Sequence, residues 1–131
     1  MGKPVVHWEI TARDPRKLET FYRQMFDWRV DETPLAYRRV DTGAGINGGI
    51  AETDGSWPSG ALFYVQVDDL QSYIDKAERL GASTLLPPTE MEDARIAIIR
   101  DPEGIRVGLM ERADARADAR GDELRGRELR A

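Results

Sequence analysis

Apolar residues recur along this chain with two periods that take turns. From Asp14 onward Leu18, Phe21, Tyr22 and Met25 fall at i, i+3, i+4 and i+7, one stripe of an amphipathic helix. Asp14-Pro15 opens it with a carboxylate N-cap and a proline pre-set for the first turn. A second stripe of Leu70, Tyr73, Ile74, Ala77 and Leu80 begins after Asp68-Asp69, and Gly81 is placed to cap its C-terminal end. Each helix follows an alternating, strand-like segment, Val5–Thr11 and Ala61–Val67. Each precedes three short extended stretches. These are Trp28–Asp31, Ala36–Asp41 and Asn47–Ala51 in the first half, then Ser83–Leu86, Arg95–Ile99 and Ile105–Glu111 in the second. Asp101-Pro102-Glu103-Gly104 reads as a type I turn between the last two.

The element order is therefore β-α-β-β-β, twice, and the halves match in detail. Gly49-Ile50-Ala51-Glu52 closes one and Gly108-Leu109-Met110-Glu111 the other. One helix cannot cover both faces of a small sheet, so the two units must share a core or a cleft. The expected class is α+β: two tandem βαβββ modules, about residues 4–53 and 60–112, within one domain spanning 1–112. Beyond Arg112 the pattern ends. Residues 113–131 hold no aromatic side chain and repeat Ala-Asp-Ala-Arg, which predicts a charged tail, helical or disordered.

Composition narrows the chemistry. There is no cysteine, which removes disulfides, thiolate nucleophiles and iron–sulfur clusters. A single histidine, His7, excludes every site that needs two. A net charge of −5 without a basic cluster argues against nucleic acid. The longest apolar run, Ala61 to Val65, is far short of the ~20 residues of a membrane span, so no membrane partner is expected. Met1-Gly2-Lys3-Pro4 leads into Val5 without an apolar leader, and the expected location is cytoplasmic. Gly43-Ala44-Gly45-Ile46-Asn47-Gly48 matches GxGxxG, but no helical stripe follows to hold a pyrophosphate, so it reads as a turn into a strand.

Four features in this order carry a resemblance. His7 lies in the first strand, fifteen residues before Tyr22 in the helix opened by Asp14-Pro15; Val67-Asp68-Asp69-Leu70 enters the second helix; Asp101-Pro102-Glu103-Gly104 precedes the last strand; and the halves repeat. Together they resemble the glyoxalase, bleomycin-resistance and extradiol dioxygenase (vicinal oxygen chelate) superfamily over residues 5–111. The resemblance implies a mixed sheet curled around one small-molecule cleft with the helices outside, and a homodimer. It also implies a divalent metal held by side chains of the first and last strand of each module. Those positions are His7, Leu62, Gly49 and Gly108 here, and of these only His7 is a ligand type. Glu52 and Glu111 lie three residues further on and should face the other side of the sheet. No cofactor is expected, a divalent metal is disfavoured, and His7 would be its ligand if one bound.

Strand alternation then sorts the cleft face. Val6, Trp8, Ile10, Phe63, Val65, Val67, Val107 and Leu109 should face the helices. His7, Glu9, Thr11, Leu62, Tyr64, Gln66, Arg106, Gly108 and Met110 should face the cleft. His7 and Glu9 are the candidate catalytic pair, an imidazole with a carboxylate two residues away on one face. The alternative is a histidine that serves only as a structural hydrogen-bonder. The remaining seven are candidate ligand contacts, although Tyr64 also suits packing and Arg106 also suits a solvated strand end or a pair with Glu9. Gly49 and Gly108 are expected to open space where a metal would sit. Trp57 is expected to cover the junction between modules or the cleft mouth, or to make a dimer contact. Two functions follow: a metal-free small-molecule binder of the bleomycin-resistance kind, or a lyase, isomerase or dioxygenase-like enzyme of the same superfamily using His7 and Glu9, with or without a metal.

Overall fold

In the computed structural model, residues 2–32 and 37–112 are described, so the expected tail at 113–131 lies outside them. The elements are β1 (Val5–Ala12), α1 (Pro15–Phe26), β2 (Arg29–Glu32), β3 (Tyr37–Asp41), β4 (Gly48–Glu52), β5 (Gly60–Gln66), α2 (Leu70–Arg79), β6 (Ser83–Glu90), β7 (Ala94–Arg100) and β8 (Arg106–Arg112). This is the doubled β-α-β-β-β order. The strands form one mixed sheet of the order β2-β3-β4-β1-β5-β8-β7-β6, which does not close. The α+β class expected from the sequence is met. The chain divides into two compact units, residues 5–64 and the remainder, with the division falling inside β5.

In the first unit β1 runs parallel to β4, and β3 pairs antiparallel with both β2 and β4. Asp14 caps α1 by accepting from the Lys17 N–H at 3.3 Å, with Pro15 in the first turn. The helix ends at Asp27, a non-glycine residue held at φ 59° whose N–H bonds the Arg23 carbonyl. Val30, Val40 and Ile50 form the core, with Trp8, Ile10, Leu18, Tyr22 and Trp28 packed against it. Trp8 and Ile10 thus face α1, as alternation requires. The α1 stripe is only half used. Leu18 and Tyr22 pack inward, whereas Phe21 and Met25 are 53% and 60% exposed. A helix of this length packed on a four-stranded patch covers a narrower arc than its stripe spans. Beneath the helix, Arg38 is almost fully buried and donates from Nε to Glu19 at 2.9 Å; Glu19 also pairs with Arg23 at 2.8 Å.

The second unit repeats the scheme. Asp69 caps α2 through the Ser72 N–H, and Gly81 follows its end at φ +101°. Val67, Leu70, Ile74, Ala97 and Leu109 are its core, joined by Val65, Tyr73 and Ile99. Leu80, expected in the stripe, is 69% exposed because it stands beyond the last turn. Phe63, on the part of β5 that belongs to the first unit, is 43% exposed instead of covered, since α1 packs on β1, β2 and β4 and α2 on β6, β7 and β8. At residues 101–104 the turn forms as expected: Gly104 N–H reaches the Asp101 carbonyl, and the Asp101 side chain accepts from Glu103 and Ile105. The sixth strand runs four residues further than expected, through Pro87-Pro88. It lies at the sheet edge, where missing N–H groups do no harm, and its register with β7 shifts twice.

Glu111 ties β8 to α2. Its Oε2 accepts from the Leu70 N–H at 3.0 Å, and its Oε1 lies 3.5 Å from Arg95 Nη1. The carboxylate is 4% exposed and sits at a helix N-terminus, where the macrodipole favours negative charge. Replacing it leaves Leu70 N–H and the guanidinium short of a partner. Glu111→Ala is expected to lower the unfolding free energy by about 1–3 kcal/mol in urea titrations.

Candidate functional site

The candidate site is built on the face of β3, β4 and β1 that turns away from α1. Register places Arg39 opposite Gly49 and Tyr37 opposite Ala51, and brings Glu9 level with Gly49 in the parallel pair. Side chains of one parity on these strands stand together: Tyr37 and Arg39, Gly49 and Ala51, and His7, Glu9 and Thr11. His7 Nε2 lies 2.8 Å from the Tyr37 hydroxyl. Tyr64, from β5, donates its O–H to Glu9 Oε1 at 3.3 Å and meets the His7 ring edge-on at a centroid separation of 5.7 Å. The imidazole, the carboxylate and two phenols therefore form one cluster.

Gly49 makes this cluster possible. A β-carbon at 49 would overlap the Tyr37 hydroxyl and its ring. The neighbouring Gly48 plays the same part on the opposite face, where a β-carbon would overlap the Trp8 indole, whose Nε1–H bonds the Ile46 carbonyl at 2.8 Å. The expectation that Gly49 leaves open space is corrected: Tyr37 fills it. Tyr37 was missed in the sequence, yet β3 carried the signal. Val40 belongs to the core, so alternation sends Tyr37 and Arg39 to the face of His7. Desolvation by burial holds the Tyr37 phenol well above its ordinary pKa; the Glu9 charge raises it further, while Arg39 opposes.

The other expected contacts divide between the units. Thr11 and Leu62 are buried in the first, 4% and 5% exposed, and Thr11 Oγ1 has no hydrogen-bond partner. Gln66, Arg106, Gly108 and Met110 belong to the second unit. There Gly108 is buried opposite Ile98, Met110 pairs with Ile96 and Arg106 with Arg100. Arg106 Nη1 is buried without a hydrogen bond. Trp57 is half-buried beside an open groove of about 410 Å³ that Glu52, Thr53, Asp54 and Ser56 also line, and its carbonyl accepts from Thr53 Oγ1. In that groove Ser56 holds the Asp54 carboxyl below its usual pKa by hydrogen bonding. The GxGxxG segment is a turn, as expected: Gly43 and Gly45 take positive φ and a strand follows.

A family pattern described as a glyoxalase-like domain matches residues 7–110. The chain belongs to that family. This glyoxalase-like domain is 29% identical over 111 residues to "Putative glyoxylase CFP32" of Mycobacterium tuberculosis, covering 77% of the chain. It spans only 42% of that relative's length. Solved structures share the fold. A Bacillus halodurans protein, BH1468, superposes with a TM-score of 0.65 at 14% identity, over 86% of this chain and 96% of its own. A Streptomyces coelicolor methylmalonyl-CoA epimerase variant in complex with 2-nitronate-propionyl-CoA gives 0.63 at 17%, over 85% and 98%. A glyoxalase/bleomycin resistance protein/dioxygenase superfamily member from Vibrio splendidus gives 0.61 at 15%, over 85% and 99%.

The donor set does not fit the divalent metal that the superfamily implies. Among the described residues, no three His, Cys, Asp or Glu side chains stand together in a way that could hold an ion. Glu111 is engaged at the α2 N-terminus, and Glu52 is exposed beside the groove.

Two outcomes follow from this geometry. Gly48→Ala drives a methyl into Trp8 and is expected to destabilise by about 1–3 kcal/mol, with altered tryptophan fluorescence during unfolding. For Tyr37 the folded state keeps its proton above the unfolded value of about 10, so stability falls as pH rises past 10, by up to about 1.4 kcal/mol per unit. Denaturation measured between pH 9 and 11 should show a shallower decline in Tyr37→Phe.

Proposed function

We propose that this glyoxalase-like domain binds a small organic molecule on the His7 face of its sheet without a metal ion. One observation carries the reading: His7 Nε2, the single imidazole donor available, is engaged by the Tyr37 hydroxyl, where a metal site would need further ligands around it. The face offers neutral donors, a carboxylate and aromatic edges, a mixture suited to orienting an organic ligand. Thr11, Leu62 and Tyr64 are the proposed ligand contacts on that face. Homodimerisation and a cytoplasmic setting complete the proposal. So does a sequestering role like that of bleomycin-resistance proteins.

The test pairs ligand screening with elemental analysis of protein purified without an affinity tag. A saturable thermal shift is expected with members of a panel of cationic and aromatic compounds, reaching about 2.7 kcal/mol at a hundredfold excess over Kd. It should be lost in Glu9→Gln. One equivalent of a divalent metal, absent from His7→Ala, would overturn the proposal.

A second reading rests on the Tyr64–Glu9 hydrogen bond. A carboxylate oriented by a phenol beside an imidazole is a competent general base, and a lyase, isomerase or dioxygenase-like reaction would use His7 and Glu9. Turnover of any compound that binds, reduced about 10²–10⁴-fold in Glu9→Gln, would establish it.

A further inference from the structure

We propose that Tyr37 is a positioning residue that fixes the tautomer of His7: its hydroxyl donates to Nε2, and the ring hydrogen resides on Nδ1. This deepens the metal-free reading and rests on it. The geometry provides the contact, 2.8 Å between Tyr37 Oη and His7 Nε2. Acid–base matching provides its direction. Between a phenol and a neutral imidazole, the phenol is the stronger proton donor and the imine nitrogen the stronger acceptor, so O–H···N prevails over N–H···O. Burial and the Glu9 charge both disfavour phenolate, so the hydroxyl keeps the proton it donates. Around this pair, Glu9 on the strand of His7 and Arg39 on β3 act on the Tyr37 phenol, and Tyr64 on β5 meets the imidazole edge-on; β4 places Gly49 and Ala51 on the same face.

The chemistry of the site changes accordingly. An imidazole in the opposite tautomer would offer a hydrogen at Nε2 and a lone pair at Nδ1. Held by Tyr37, His7 keeps its Nε2 lone pair occupied and its other nitrogen protonated. In this tautomer Nδ1–H is a hydrogen-bond donor suited to oxygen, such as a carbonyl, hydroxyl or carboxylate, and Nε2 serves neither as a base nor as a metal ligand. Position 49 decides this. Any side chain there would displace the phenol, so the glycine selects a phenol partner for His7 in place of a residue from β4.

Because His7 is the only histidine, its two ring nitrogens can be read by nitrogen-15 NMR of the full chain without assignment. At pH 9, where an ordinary imidazole is neutral, the wild type is expected to show an acceptor-type Nε2 and a protonated Nδ1. Tyr37→Phe, which removes one oxygen, should move the ring toward the Nε2–H form that free histidine favours in water. Gly49→Ala should do the same with the phenol still present. A wild-type ring already in the Nε2–H form would overturn the proposal, and that measurement needs no variant. So would an unchanged tautomer in Tyr37→Phe protein whose amide spectrum shows it folded. Metal content of the same sample separates the two proposals. A bound equivalent at His7 ends the metal-free reading, whereas metal-free protein with Nε2–H ends this one alone.

Discussion

Two consecutive β4 residues without side chains, Gly48 and Gly49, set what can happen on either face of the first unit's sheet. On one face the missing β-carbon admits the Trp8 indole and lets the core close under α1. On the other it admits the Tyr37 phenol and brings it to His7. Glycine is usually poor in a strand because it packs nothing and loses the most chain entropy on folding. Here each vacancy is filled by an aromatic ring from a neighbouring strand, so the loss is offset by a large contact surface. Folding and site chemistry thus depend on the same dipeptide, one residue for each.

Much of the architecture was legible because it rests on periodicity and local capping. The stripes of α1 and α2, their Asp caps and the doubled element order needed no tertiary information, and the helix-facing side of β1 followed from alternation. What failed depended on how far one element reaches over another. Phe21, Met25, Phe63 and Leu80 are apolar at the right spacing, yet packing leaves them exposed, because a stripe records preference and not coverage. The sixth strand extends beyond the expected Ser83–Leu86 through Pro87-Pro88, because an edge strand tolerates missing donors and edge position is not written in the sequence.

The candidate site was legible in part. His7, Glu9 and Tyr64 were placed on one face by parity alone, and the structure joins them in one cluster. Tyr37 was overlooked because a glycine in a sequence says that space exists, not which side chain enters it. The orphan hydroxyl of Thr11 and the buried Arg106 Nη1 are equally invisible in a sequence, because satisfaction is a property of neighbours. In the second unit Glu111 shows the opposite case. Parity alone sent it to the helix side, and there it closes a helix N-terminus instead of serving a cation.

The outer strand β6 carries two adjacent prolines on a margin that no further strand covers. Imino nitrogens cannot donate, and the two breaks in register twist the margin out of line. At the opposite margin β2 is only four residues long and bears Arg29 and Asp31. Open sheets are vulnerable where backbone groups can recruit a passing chain into an intermolecular ribbon. Both margins of this one carry features that disfavour such recruitment: missing donors and broken register at one, a short charged strand at the other.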